Sequence, residues 1–241
     1  TGRGPHLLKD MHLSMLAKLR AAFRMFRNRD VDKLFRQIVQ KEEPDLIFSV
    51  YLSSSMLPNI FRIAKAEFGL PVVYRLSDFH MMCASYLFFR DKQVCTLCLS
   101  RPWSAVQHRC VHGSFAASLL RYLQLKYIRI KDFYKDVDTF VCPSLIMKDH
   151  LLHHGIPEDK IAHIPTFSVD SGCSEDRTSD GHPYALYFGK IVQEKGAEIL
   201  IEAFSRIESP SFKLKLVGHI DSAYKNTLLS KINSGSRALI E

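Results

Sequence analysis

No stretch of this sequence reaches the roughly eighteen uninterrupted apolar residues that a helix needs to cross a bilayer, so no membrane-spanning helix is predicted. The opening residues, TGRGPHLLKDMHLSM, have neither the apolar core nor the small-residue cleavage site of a signal peptide, and they lack an initiator methionine. The expectation is a soluble, cytoplasmic chain, entered partway through a longer protein. Cysteine is sparse: six in 241 residues is too few for a secreted disulfide scaffold and favours a reducing compartment. Acidic residues are also short, 25 against 33 Lys and Arg, which leaves a formal charge of +8. That excess favours an anionic partner (nucleic acid, a phosphate-bearing substrate or acidic lipid) without choosing among them. There is no solenoid-length repeat and no low-complexity tract. With 46% hydrophobic and 24% charged residues, the composition is globular, and the length allows one large core or two modest ones.

Residues 7–29 read as a basic amphipathic helix. Leu8, Met11, Met15, Leu19, Ala22 and Phe26 fall at helical spacings, with Lys18, Arg20, Arg24 and Arg27 among them. Such a helix either packs on its own domain or lies on an anionic membrane, at the inner face in a cytoplasmic protein. An alternation of strands and helices follows. Strands are predicted over 45–50, 71–76, 138–143 and 160–165. Ser54 or Ser55 is expected to cap a helix with Pro58 in its first turn, a second helix runs over 118–137, and Ser144 caps a third that Gly155 and Pro157 stop. The polar segment 166–183 is rich in Ser, Asp and Gly and reads as a domain boundary. Beyond it come a strand (184–188), a helix (196–207), a strand (212–217) and a helix (221–232). The pattern predicts parallel sheets with helices on both faces. Within the second helix, RYLQLKYIRIKDFYKD mixes cations with aromatics, as nucleic-acid surfaces do, but its period better suits one buried face with snorkelling lysines.

Two stretches carry chemistry. In YFGKIVQEKGAEILIEAF, a strand ending at Phe188 and a helix starting near Gly196 put residues 189–195 at the carboxyl edge of a parallel sheet, where open α/β folds bind ligands. Gly189 lets backbone approach a ligand, the helix N-terminus offers free N–H groups, and Lys190 and Lys195 add two charges suited to a diphosphate. The alternative is a solvated loop. The second stretch spaces Cys83, Cys95, Cys98 and Cys110 as Cys-x11-Cys-x2-Cys-x11-Cys. Four thiolates can hold a tetrahedral, structural Zn²⁺ that would staple the long loop 83–112, with His108 and His112 as substitute ligands; reduced free thiols are the alternative.

YALYFGKIVQEKGAEILIEAF followed by FKLKLVGHI resembles the donor-domain signature of family 4 (group 1) retaining glycosyltransferases. Residues 137–170, from the Pro-Ser helix cap to the Ile-Pro strand end and closing Val-Asp, are similar to that family's inter-domain region. PDLIFSV and LPVVYRLSDFHMMC are similar to the middle of its acceptor domain. The resemblance implies an α/β, GT-B-like fold of two Rossmann-like parallel-sheet domains. The first would be a partial acceptor-side domain over 1–167, then a linker over 168–183, and then the start of an incomplete donor domain over 184–241. It implies a sugar moved from a nucleotide-diphosphate donor to a glycan or lipid-linked saccharide, with no cofactor or metal required for the chemistry. Lys190 and Lys195 would hold the diphosphate, and Gly189, Gly196 and Gly218 would allow close backbone approach. The family usually has Arg where this chain has Lys190, so a planar fork is replaced by a point charge. Asp78 matches the Asp of the family's His-Asp pair, while the His is displaced to His80; these two are the catalytic candidates. The family's sugar-gripping Glu-x7-Glu signature is expected well beyond residue 241, and only 44 residues precede Asp45, so a fragment is expected. The competing reading is a zinc-stapled basic binding module without catalysis, contacting nucleic acid or a partner protein, with nucleic acid the less favoured.

Overall fold

Asn28 opens the first long helix. Its side chain accepts from the Val31 amide, and Asp30 and Asp32 in the first turn with Lys41 in the last complement the dipole of α1, Arg29–Glu42. The computed structural model describes residues 22–52, 57–168, 183–207, 212–230 and 238–240. Most of the helix predicted over 7–29 therefore lies outside the described residues. Residues 22–24 are helical, but the chain turns at 25–26 and α1 starts anew.

Strand β1 (Ile47–Ser49) leads to helix α2 (Asn59–Phe68) and strand β2 (Val72–Arg75). Pro58 stands at the N-cap of α2 and not in its first turn, and no side chain caps it; Ser54 and Ser55 lie outside the described residues. The stretch expected to be an irregular loop holds a hairpin of β3 (Phe89–Arg90) and β4 (Gln93–Val94), then two single-turn helices, α3 (Leu97–Ser100) and α4 (Ser104–Gln107). Helix α5 (Phe115–Ile130) is capped by Ser114 and stops earlier than predicted, because Asp132 takes a left-handed turn into a short 3-10 segment, Phe133–Asp136. Strand β5 (Thr139–Cys142), helix α6 (Leu145–His153) capped by Ser144, and strand β6 (Ile161–His163) complete the unit.

The four strands pair in parallel in the order β1-β2-β5-β6. The register sets Ser49 beside Tyr74, Tyr74 beside Phe140 and Phe140 beside Ile161. Val72, Tyr74, Phe140 and Cys142 point to one face, where Ile60, Phe61 and Ala64 of α2, Ile128 of α5, Phe133 and Tyr134, and Met147 and Leu151 of α6 form a single core. Each such large apolar side chain contributes about 1.5–3 kcal/mol on burial. Because the order always steps the same way, right-handed crossovers put the connecting helices on this one face. On the other, Phe48 is exposed. Helices on both faces, as expected from the alternation, are not found among the described residues.

The chain divides into two compact units at residue 167, and the unit from Ser168 onward repeats the logic on a smaller scale. Strand β7 (Tyr184–Phe188), a 3-10 turn (Gln193–Lys195), helix α7 (Ala197–Ser205), strand β8 (Lys213–Val217), helix α8 (Ser222–Leu229) and strand β9 (Ala238–Ile240) give a parallel sheet in the order β7-β8-β9. Ile191, Ala197, Ile201, Phe204, Leu214, Leu216 and Leu228 form its core. The opposite side of β7 leaves Tyr184, Leu186 and Phe188 exposed.

Candidate functional site

Parallel strands deliver their following loops to one edge, and each unit gathers its candidate residues there. In the first unit, the ends of β1 and β2 are tied by Ser77, whose Oγ donates to the Val50 carbonyl at 2.8 Å. Asp78 Oδ1 then accepts from the His80 amide at 3.0 Å and faces the His80 Nδ1 at 2.5 Å. A carboxylate on Nδ1 fixes the proton there, so Nε2 is left to accept from the buried Tyr74 hydroxyl at 2.8 Å. Burial alone would raise the Asp78 pKa, but the hydrogen bonds from the His80 ring and amide, with the Arg121 charge, more than offset it and hold it below its ordinary value. Burial pushes the Tyr74 phenol strongly upward, so it stays a donor. Asp78 and His80, both catalytic candidates, are thus brought together. His80 is engaged at both ring nitrogens and is only 13% exposed, which makes it a brace for Asp78 in this arrangement.

Arg121 is the functional-looking residue that sequence reasoning missed. It lies among the cations of the basic-aromatic helix, yet it is 6% exposed. Its guanidinium donates to the His80 carbonyl at 2.7 Å and to Gln124 Oε1, while Gln124 donates to the Met25 carbonyl. Burial lowers its pKa, against the opposing pull of Tyr134 and Asp78. The cation therefore sits behind the Asp78–His80 turn and ties it to α5.

In the second unit, the loops after β7 and β8 are pressed together. Gly189 has φ 132° and Gly218 φ 152°, and a Cβ on Gly218 would stand 1.8 Å from the Gly189 carbonyl oxygen. The Gly189 amide donates to the Val217 carbonyl, the Ile191 amide to the His219 carbonyl, and Ile191 bridges Ile220 in parallel. Lys190 and Lys195 are both exposed. Lys195 ends the 3-10 turn, and Gly196 at φ 75° leads into α7. Asp221 caps α8 from the second loop, accepting from the Ala223 and Tyr224 amides. This edge thus collects three glycines, two lysines and two helix N-termini. The depression of about 340 Å³ lined by Phe23, Arg24, Arg27, Asn28, Arg29 and Asp30 involves none of the candidate residues.

The cysteines of the loop are also gathered. Cys83 lies next to Cys98, and its sulfur is within 3.3 Å of the Ser85 hydroxyl; these neighbours outweigh burial and draw the Cys83 pKa below its ordinary value. Its closeness to Cys83, with burial, pushes Cys98 up. Burial also raises Cys110, with Cys83 and Cys95 adding to it electrostatically. Among the described residues, no three His, Cys, Asp or Glu side chains already stand in positions that would hold a metal ion. No described helix is long and apolar enough to cross a membrane. Compared with known proteins, the chain matches no family model and no curated sequence.

Proposed function

We propose that the chain carries acceptor-side and donor-side parts of a retaining glycosyltransferase, which moves a sugar from a nucleotide-diphosphate donor to a glycan or lipid-linked acceptor. The observation that carries this reading is the Gly189–Gly218 contact, which opens the carboxyl edge of β7 and β8 to close backbone approach beside the exposed Lys190 and Lys195. An anionic diphosphate at that edge meets two point charges and the positive end of α7, and the same groups stabilise it as it departs from the sugar. On this reading Asp78 belongs to the acceptor side, with Arg121 and His80 fixing its position. Contact with an anionic membrane through the basic segment around Arg24, Arg27 and Arg29 belongs to the same proposal.

Calorimetry with UDP, GDP, ADP and dTDP tests it on the whole chain. At least one of these binds, and Lys195→Ala weakens that binding about tenfold, equivalent to ~1.4 kcal/mol. Absence of binding by all four, or unchanged affinity in the variant, refutes the diphosphate seat.

A further inference from the structure

We propose that Cys83, Cys95, Cys98 and Cys110 form a structural zinc site that fastens the segment between β2 and α5. This does not depend on glycosyl transfer. Three separate features of the segment point to it.

The first is convergence. Cys83 follows β2, Cys95 ends the β3–β4 hairpin with its amide on the Phe88 carbonyl, Cys98 lies in α3, and Cys110 follows α4 with its amide on the Ala105 carbonyl. These four turns, spread over 28 positions, put Cys83 next to Cys98 and Cys110 within electrostatic reach of both Cys83 and Cys95. Four sulfurs around Zn²⁺ at about 2.3 Å stand about 3.8 Å apart, a spacing near that of hydrogen-bonded thiols. Rotating a cysteine between staggered χ1 wells moves its sulfur by about 3 Å, which is the kind of movement that drawing these sulfurs onto one ion requires, since no three of them stand ready for it.

The second is the surroundings of the sulfurs, which suit thiolates. The backbone N–H groups of Ser85 and Phe88 lie near Cys83 and that of Ala84 near Cys98, and each favours the thiolate. Four thiolates on Zn²⁺ carry a net charge of −2, and Arg90 lies beside Cys95 and Cys110. Its Nε is shielded from solvent with no partner at ordinary hydrogen-bond distance, while one terminal nitrogen, Nη1, meets both His108 and Asp91. A thiolate at Cys95 would give that buried N–H an acceptor.

The third is strain. Six non-glycine residues of this segment have positive φ. Asp91 and Lys92 are explained, since two such residues make the type I′ turn that joins β3 to β4. The other four flank the cysteines: Tyr86 and Phe88 after Cys83, and Arg109 and His112 around Cys110. Strained backbone persists only where its surroundings over-determine it, and two-residue strands and single-turn helices do little of that. A metal joining four points of the segment would do so. With all four positions thiolate, no coordination site is open, so the ion is structural and not catalytic. Binding releases the thiol protons to solvent and leaves the metal as Zn²⁺, with no change of oxidation state.

The test is metal analysis of the whole chain, expressed in zinc-supplemented medium and purified under reducing conditions. About one zinc per chain is expected, falling below about a tenth in Cys98→Ser and Cys110→Ser and unchanged in Cys142→Ala. Because a serine variant that fails to fold would also lose its metal, wild-type protein reconstituted with Co²⁺ gives a second readout. Its sulfur-to-metal charge-transfer band and intense tetrahedral d–d bands report thiolate ligation directly. Less than a tenth of an equivalent of zinc together with no cobalt bands overturns the proposal. So does zinc retained by both serine variants, or a Cys83–Cys98 disulfide found by alkylation mapping of freshly isolated protein.

Discussion

Replacing Gly218 by alanine is the sharpest way to test the geometry of the second unit. The new Cβ would lie 1.8 Å from the Gly189 oxygen and 2.7 Å from its carbonyl carbon, so backbone and not a flexible side chain must yield. Moving the Gly189 carbonyl pulls on the Gly189–Val217 and Ile191–His219 hydrogen bonds, at 3.0 and 2.9 Å. Each is worth about 0.5–1.5 kcal/mol. A φ of 152° carries a further strain of about 1–3 kcal/mol for any residue with a Cβ. Together these give a loss of about 2–6 kcal/mol, a large part of the 5–15 kcal/mol typical of a whole domain. Hydrogen exchange read by mass spectrometry resolves where the loss falls. Peptides covering 184–230 are expected to open at least about 30-fold more readily, the equivalent of 2 kcal/mol. The single tryptophan, Trp103, lies in the first unit, and its unfolding transition in urea should not shift. Gly196→Ala is the control: its φ is 75° with nothing within 4 Å, so only the left-handed cost of about 1–2 kcal/mol applies. Wild-type protection over 184–230 in Gly218→Ala, or an equal loss in Gly196→Ala, refutes the reasoning.

The first unit supports two further predictions. The folded-state pKa of Asp78 lies below its unfolded value, so its contribution to stability is complete above the ordinary carboxylate value of about 3.9 and is lost as pH falls through the folded value. Asp78→Asn should therefore flatten the acid limb of the stability–pH curve below that point. Asp138, Glu67 and Glu158, also lowered, keep acid sensitivity of their own, and an unchanged limb by Trp103 fluorescence refutes the assignment. Arg121→Met leaves the partly buried His80 carbonyl without its donor and should cost about 1–3 kcal/mol in urea titrations. Arg121→Lys should recover less than half of that, since a point charge cannot span both the carbonyl and Gln124 as the planar fork does.

The strands are legible because their apolar runs are bounded by proline or glycine (Pro44 before β1, Pro71 before β2, Pro143 after β5, Gly189 after β7), and the structure keeps 184–188 as predicted while trimming the other spans by one to three residues. The one-turn break at 25–28 is hidden because Met25 and Phe26 continue the apolar spacing of the segment before them, and only the Asn28 cap marks the new start. Arg121 is hidden for a different reason. Ser118, Arg121, Gln124 and Ile128 share the buried face of α5, so its most enclosed side is largely polar and runs against the hydrophobic pattern by which buried faces are recognised. The offset of three between Arg121 and Gln124 is the available signal, because it allows a hydrogen bond along one helix face. The spacing of the four cysteines suggests that they meet, but the hairpin and the positive-φ turns that bring them together have no such periodic signature.

The strand order bears directly on where a ligand would sit. In doubly wound sheets, ligands occupy the crevice where the order reverses, since neighbouring loops there leave toward opposite faces. Neither sheet reverses among the described strands: each steps one way, and each places its helices on one face. In the second unit the candidate loop follows β7, the outermost strand of that run. A further parallel strand against the free edge of β7, wound the other way, would make the Gly189–Lys195 loop the switch point and cover the side now exposing Tyr184, Leu186 and Phe188. The same reasoning at β8, flanked on both sides by strands wound in one sense, yields no crevice. The diphosphate seat at Lys190 and Lys195 is therefore expected to tighten when chain that extends the sheet beyond β7 is supplied. Affinity for the nucleoside diphosphate that does not change on such extension would place the ligand elsewhere.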